Sequence, residues 1–418
     1  MMSFEAVAIK LGLNNPAPAL RETWAASQMV FEHERTRFAD PPQLDEACRV
    51  LGMPEGFVEG VLKARQDLPA EEALFRYVWH CRWLLSELDS GWPVMGAGFP
   101  VIRPDASPAA GMGYALVFLD LFRTAQHRFR ERGVPDDVAL DTLRDFTRWV
   151  EDFRQAHGVW GLWNLGWLQH HLRARLFALG RLQFRMEKFE FDFHGWRQRS
   201  TGRVRLLAGD GMMFRPDGLF ADADRQTHPA PGSWKAGYAE DGNTVRGMPV
   251  DPRGLVIREP VTLPRSDWVR VLGKGDATVG IHIPGGSPMD FEACGRSLSG
   301  VRAFFGSHVP EHPVTAMTCS SWLLDPQFEG RLPESSNVVR VLRELYLHPL
   351  PGATDYALFE RVFANRRPGE NEPETGMTTL QKSVMKAVRS GVTWRAGGAV
   401  LFPDEVVDWG KQAYRVVR

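Results

Sequence analysis

The sequence predicts an α+β protein in which an all-α N-terminal domain is followed by a mixed α/β domain with a twisted sheet. Two observations carry this. Up to about residue 180 the apolar residues recur with a helical period, and beyond Gly180 short alternating runs with helical stretches between them take over. The length of 418 residues, which asks for two or three domains, agrees. The change of period falls at residues 175–185, giving a helical domain over 1–178 and an α/β domain over 179–418.

In the first part, EEALFRYVWHCRWLLSELDSGW places Leu74, Phe75, Val78, Trp79, Cys81, Leu85 and Leu88 on one stripe, with Gly91 as the stop. GYALVFLDLFRTAQHRFRERG reads as one helix ending at Gly133. Pro135, Asp136 and Asp137 open another that runs to Gly158, with Val138, Leu143, Phe146, Val150 and Phe153 inward. WNLGWLQHHLRARLFALG reads as a fourth. Past Gly180, RLQFRMEKFEFDF, VRLLA, TVRGMPV, GLVIREPVTL, TVGIHIP and AMTCSSWLL are strand-like runs bounded by Gly, Pro and Asp. DFEACGRSLSGVRAFFGSH, SNVVRVLREL and TLQKSVMKAVRSG are helical, and residues 215–243 read as a long loop or partly a hairpin.

Composition narrows the function. Lys+Arg of 50 against Asp+Glu of 51 gives no basic excess for nucleic acid or an anionic membrane. Four scattered cysteines form no CxxC pair, which argues against a disulfide framework or structural zinc. No apolar run reaches the ~20 residues of a membrane span, and the N-terminus lacks a signal-peptide core. A cytoplasmic protein is expected. Asp290, Glu292 and Asp325 lack the spacing of a glycosidase or metal site, and His170 and His171 are adjacent to each other but far from His157, so no metal is expected. Trp160, Trp163 and Trp167 have nearly helical spacing and read as packing.

Residues 276–328 read strand, glycine loop, helix, strand. The loop holding Gly285, Gly286 and Ser287 is either a phosphate cradle at a helix N-terminus or an ordinary cap, with Ser287-Pro288-Met289-Asp290 resembling a capping box. His282 ends the strand TVGIHIP on the face opposite Val279, Ile281 and Ile283, placed either as a general base or as a structural histidine. Ser321 ends the next strand, close to His282 if the two strands are neighbours. Trp322 reads as core or as a wall of the site.

The run GIHIPGGSPMDFEACGRSL, followed by SSWLLDPQF and LPESSNVVRVLREL, resembles a family of bacterial acyltransferases that join a helical N-acyltransferase domain to a GNAT-like C-terminal domain. LFALGRLQFRM, GMPVDPRGLVIREPVTLP and GVTWRAGGAVLF are similar to it too, so the likeness runs from about residue 45 to the C-terminus. The resemblance implies a splayed GNAT-type sheet and transfer of an acyl group from acyl-CoA, or from an acyl-carrier donor, to a small-molecule amine. CoA is then the co-substrate, with no metal. It further implies His282 as general base, Ser321 or Tyr346 assisting thiolate departure, and Gly285, Gly286, Ser287 and Trp322 against the cofactor. Relatives of this architecture resemble enzymes that place fatty chains on the amino sugar of glycopeptide antibiotics. PGGSP keeps the glycines of the GNAT pyrophosphate loop without its Gln or Arg lead residue. Two alternatives therefore stand beside direct transfer: a non-catalytic binding protein, and a covalent acyl-enzyme on Cys319 or Ser321. The helical domain is expected to shape the acceptor pocket or cap the acyl channel.

Overall fold

The computed structural model describes residues 2–87, 98–102, 109–222, 231–352, 355–363, 369 and 373–415. The chain divides into two compact units, Met1–Ala178 and Leu179–Arg418.

The first unit is helical. Its helices are α1 (Phe4–Leu11), α2 (Pro18–Glu22), α3 (Trp24–Glu34), α4 (Pro41–Leu51), α5 (Glu55–Asp67), α6 (Glu72–Glu87), α7 (Gly113–Asp120), α8 (Phe122–Glu131), α9 (Asp136–Leu143), α10 (Asp145–His157) and α11 (Leu165–Leu172). Helix α7 is buried along its whole length and packs on α6, whose stripe of Leu74, Phe75, Val78, Trp79, Cys81 and Leu85 is buried as the period requires. Leu88 and Gly91 lie outside the described residues. Arg76 remains tolerable in this core because Glu72, Glu32 and Gln28 take its guanidinium protons.

Three elements differ from the sequence expectation. The single helix expected over 113–133 is two, parted at Leu121 (ψ 0°), and that expected over 135–158 is two, parted at Arg144 (ψ −13°). Neither break has a Pro or Gly, so the apolar period runs through it unmarked. The expected helix over 163–180 stops at Leu172, and Leu176–Leu179 is instead the strand β1. The chain reverses at Ala174, whose φ of 47° no helix accommodates.

Among the described residues of the helical unit, Asp145 and His171 lie against each other with both side chains buried. Asp145 Oδ2 lies 3.2 Å from His171 Nε2, with their side chains 2% and 0% exposed. The same oxygen accepts the indole N–H groups of Trp149 (3.0 Å) and Trp167 (3.4 Å), and Arg148 bonds the other oxygen at 3.1 Å. Burial alone would raise the Asp145 pKa, but the hydrogen bond and charge of His171, followed by Arg148 and Trp149, hold it well below the usual carboxylate range. A depressed folded pKa stabilises the fold above the unfolded aspartate value of ~3.9 and loses that contribution as pH falls through the folded value. Asp145→Asn is expected to cost about 3 kcal/mol at neutral pH. It should also flatten the loss of stability below about pH 4, as read by urea titration across pH.

The second unit is built on a six-stranded sheet in the order β1-β2-β13-β14-β16-β15, with β1 spanning the unit boundary. Its other members are β2 (Leu182–Lys188), β13 (Ala277–His282), β14 (Met317–Ser321), β15 (Tyr346–Pro349) and β16 (Gly397–Leu401). Between β2 and β13 the chain makes β3 (Phe193–Gln198), β4 (Val204–Ala208), β5 (Met213–Phe214), β6 (Trp234–Lys235), β7 (Tyr238–Glu240), β8 (Thr244–Gly247), β9 (Val250–Asp251), β10 (Leu255–Val256), β11 (Val261–Pro264) and β12 (Trp268–Leu272). The expected loop over 215–243 therefore carries short strands, although its residues 223–230 lie outside the described set.

These inserted strands form a three-stranded sheet β12-β3-β4, a second one β11-β8-β7, and the two-stranded ladders β10-β9 and β5-β6. Phe193, Leu206 and Leu272 of the first pack with Tyr346, Val400 and Phe402 of the main sheet region. On the other side Trp196 and Leu207 pack with Val245 and Leu263 of the second. One face of the main sheet is thus covered at its β15–β16 end. The helices are α12 (Phe291–His308), α13 (Asn337–Glu344), α14 (Tyr356–Phe363) and α15 (Thr379–Arg389), the last opened by a Thr378–Gln381 capping box.

Candidate active site

The site begins where β13 and β14 part. They pair in parallel only at Val279↔Met317 and Gly280↔Thr318. Yet β13 stays paired to β2 as far as His282↔Gln183, and β14 to β16 as far as Ser321↔Gly397. Each strand is held by its outer neighbour while the inner ladder stops, leaving Ile281–His282 and Cys319–Ser321 as two facing edges.

Strand alternation assigns the side chains to faces. Gln183, Arg185 and Glu187 of β2 share a face with Thr278, Gly280 and His282 of β13 and with Thr318 and Ser320 of β14. The Thr318 hydroxyl donates to Glu187 Oε1 at 2.6 Å across the intervening Gly280, which confirms the assignment. Arg185 Nη2 donates to Glu187 Oε2 at 2.6 Å. A Cβ at Gly280 would meet the Glu187 carboxylate, which would have to move aside.

The opposite face is apolar. Leu182, Ile281, Cys294, Leu298, Cys319 and Leu342 line a cleft between the strand ends and the helices α12 and α13.

His282 is half-buried at the strand end, on the polar face, as its alternation with Val279 and Ile281 predicts. Ser321 ends the adjacent strand but belongs to the other face, so Ser320 is the hydroxyl that shares the face of His282. The expected approach of Ser321 to His282 is thereby corrected: the period of two separates them. Ser321 Oγ instead accepts the Leu323 N–H at 3.2 Å and caps the short 3-10 turn Trp322–Leu324. Trp322 is half-buried and packs edge-on against Phe328.

Tyr346 is also corrected. It is 2% exposed, and its hydroxyl donates to the Val250 carbonyl at 2.6 Å and accepts from the Leu206 N–H at 3.3 Å. Burial raises its pKa. A phenol sealed between two backbone groups ties β15 to the inserted strands and has no proton to spare for a leaving thiolate. Cys319 is likewise sealed, its thiol pushed up to about 12 by burial and then by the charge of Glu187, so it supplies no thiolate at neutral pH.

Gly285, Gly286 and Ser287 form an exposed loop, with Gly286 at φ 82°. The cap of α12 is Asp290, whose Oδ1 accepts the Ala293 N–H at 2.7 Å, rather than Ser287. Arg181 grips the loop from β2's side, donating to the carbonyls of Ser287 and Pro288, each at 2.8 Å. The loop is therefore held in shape by its carbonyls, and the third amide of the helix, that of Ala293, is already taken by a carboxylate.

The description of a GNAT-like C-terminal domain fits residues 176–401, and that of an N-acyltransferase N-terminal domain fits residues 42–174. The chain belongs to this N-acyltransferase family. The solved structures it is similar to have the same fold. One is an acyltransferase mutant in complex with octanoyl-CoA, at 22% identity and a TM-score of 0.63. Another is an acyltransferase in complex with decanoyl-CoA and teicoplanin, at 22% and 0.62, and a third is one in complex with CoA and 10C-teicoplanin, at 23% and 0.62. Each comparison covers 96% of this chain and 99% of the other. No curated protein matches it.

Within this N-acyltransferase, Gln183, Arg185, Glu187 and Thr318 escaped sequence reasoning. Gly280 was the available signal, since a glycine inside an alternating strand marks a close approach.

Proposed function

We propose that this N-acyltransferase moves an acyl group from acyl-CoA to the amine of a small-molecule acceptor by direct attack, with His282 as general base. The parting of β13 and β14 carries the reading. Two facing strand edges that no longer pair with each other suit the amide-bearing pantetheine arm, which can lie between them as an added strand does. Behind them Ile281, Leu298 and Leu342 surround a cavity of about 20 Å³, an apolar lining of the kind its methylenes pack against. The relatives' complexes with octanoyl-CoA, decanoyl-CoA and teicoplanin support an acyl-CoA donor and an acceptor of the teicoplanin kind.

In the reaction the neutral amine attacks the thioester carbonyl, and its nitrogen sheds a proton to the His282 imidazole. The C–S bond breaks, and the thiolate leaves to take up a proton, giving amide and free thiol. Ser320, exposed on the same face, is the hydroxyl available to the leaving sulfur. With Cys319 inert and Ser321 serving as a cap, direct attack is favoured over an acyl-enzyme.

The diphosphate of CoA fits the helix N-terminus poorly, because Asp290 occupies the Ala293 amide and adds a negative charge. Asp290→Ser keeps a capping oxygen and removes that charge. Donor affinity is expected to rise about threefold to tenfold, more so at low salt, as measured by calorimetric titration with CoA.

The activity is tested by incubating the protein with octanoyl-CoA and glucosamine while following free thiol, with native mass spectrometry for retained donor. Thiol release that depends on the amine, without an acylated protein mass when the amine is omitted, is the expected result. Neither release nor retention with any acyl-CoA would overturn the reading, and an acylated mass would replace direct attack by a covalent intermediate.

A further inference from the structure

A second cavity opens where β15 ends and β16 begins, and it shares only Leu324 with the apolar cleft beside α12 and α13. Its volume is about 260 Å³, and Leu219, Leu255, Leu324, Pro326 and Leu347 make much of its wall apolar. A space of roughly 150 Å³ lined by such side chains is enough for benzene, so this one has room for a substituted ring. The same wall carries an imidazole. His348, the penultimate residue of β15, lines the cavity and is 2% exposed. Phe191 and Phe193 pack on its ring at centroid distances of 5.2 and 4.9 Å. The ring lies over its cross-strand partner Gly398, where a Cβ would collide with it.

The state of this imidazole follows from its neighbours. Nδ1 stands 3.0 Å from the Pro349 carbonyl, and a carbonyl only accepts, so Nδ1 carries the proton. Burial pushes the pKa down to about 4, so the ring holds no second proton at neutral pH. Nε2 is then a bare acceptor, and it has no hydrogen-bond partner among the described residues. The charged groups of the wall are already engaged. Asp325 takes the backbone N–H groups of Gln327 and Arg395 at 2.9 and 2.7 Å and the Gln327 side-chain amide at 3.0 Å. Gln327 gives its other amide proton to the Thr393 carbonyl, and Arg395 donates to the same carbonyl from its guanidinium.

We propose that this cavity is a binding site for an uncharged small molecule with an apolar body and one hydroxyl, the hydroxyl donating to His348 Nε2. The site is separate from the gap between β13 and β14 and does not depend on the acyl-transfer reading. A hydrocarbon would fill the wall but leave the imidazole lone pair unmatched, which is costly in a buried place. A carboxylate has no proton to give at neutral pH, and an ammonium would surrender its hydration to a largely apolar wall for one neutral acceptor. Water satisfies Nε2 until a hydroxyl replaces that bond and the attached ring displaces the remaining solvent. His348 is a binding residue here, since an imidazole so reluctant to take a proton serves as an acceptor rather than as a base.

The test uses p-cresol and p-xylene, which differ by a hydroxyl in place of a methyl group, in calorimetric titrations of the full chain. p-Cresol is expected to bind at submillimolar concentration. Its affinity relative to p-xylene is expected to fall about tenfold in His348→Phe, which keeps a ring of similar size and removes the acceptor. Leu255→Trp, at a position 37% exposed on the cavity wall, should weaken both ligands alike. In the unmodified protein the Nε2 nitrogen resonance of His348 should shift with p-cresol and stay in place with p-xylene, a readout that does not rely on any variant folding. Failure of p-cresol to bind overturns the proposal. So does an unchanged ratio of affinities in His348→Phe, undiminished binding in Leu255→Trp, or a His348 resonance that p-cresol leaves unmoved.

Discussion

His282→Ala is expected to lower amine-dependent turnover by about 100-fold or more while the protein still retains octanoyl-CoA. The direction follows from position. The residue ends β13 where the ladder to β14 has stopped, on the polar face, and the donor's proposed contacts are made by the backbone edges and the apolar cleft behind them. Removing the imidazole deprives the attacking nitrogen of its proton acceptor and leaves those contacts in place. The loss should therefore fall on kcat rather than on donor affinity. Stability should change little, because the side chain is half-buried at a strand terminus. Single-turnover thiol release, with native mass spectrometry of the octanoyl-CoA complex, separates the two quantities. Unchanged turnover would reject the role, and a loss of donor retention would assign the residue to binding.

Gly280→Val is expected to cost about 1–3 kcal/mol of stability and to reduce turnover by at least about tenfold. β13 is paired on both sides at this residue, so the backbone cannot yield without breaking a ladder. A side chain here enters the polar face and meets the Glu187 carboxylate. Glu187 must then leave the Thr318 hydroxyl and the Arg185 guanidinium, which orient it at the point where the strands separate. A domain of this size should melt roughly 2–4 °C lower for each kcal/mol lost. The cause can be isolated: in a Glu187→Ala background the same substitution meets less obstruction, so the two changes should be less than additive in stability. Strict additivity would locate the cost elsewhere in the sheet.

The fold was legible where local pattern determines it. The helical period of the first 178 residues, the alternation of TVGIHIP and AMTCSSWLL, and the runs that became α12, α13 and α15 all lie in the sequence as repeats of 3.6 or 2. The family likeness added the GNAT-like character of the second unit. Features that depend on partners distant in sequence were not legible. Strands β15 and β16 take their place by pairing with each other and β14, and β12 by pairing with β3. The helix breaks at Leu121 and Arg144 carry no breaker residue.

The site shows the same division. Alternation within β13 placed His282 correctly against its own aliphatic neighbours. The choice between Ser320 and Ser321 needed the register between two strands, which one residue of slip reverses. Tyr346 entered because the resemblance implies a tyrosine acid and it is the nearby candidate after SNVVRVLREL, and only the carbonyl of Val250 and the amide of Leu206, both far away in the chain, show it to be spoken for. Asp290 rather than Ser287 caps α12 because the chain stays extended through it (φ −68°, ψ 127°), a detail of loop geometry that the residue types of both positions permit equally.

The central claim is that the donor lies between the separated ends of β13 and β14 with its thioester presented to the His282 face. A crystal structure with octanoyl-CoA tests it most directly. The pantetheine arm is predicted to run between Ile281–His282 and Cys319–Ser321, with the thioester carbon open to an amine within hydrogen-bond reach of the imidazole. A donor bound away from that gap, or one whose carbonyl is walled off from His282 by the sheet, would contradict it.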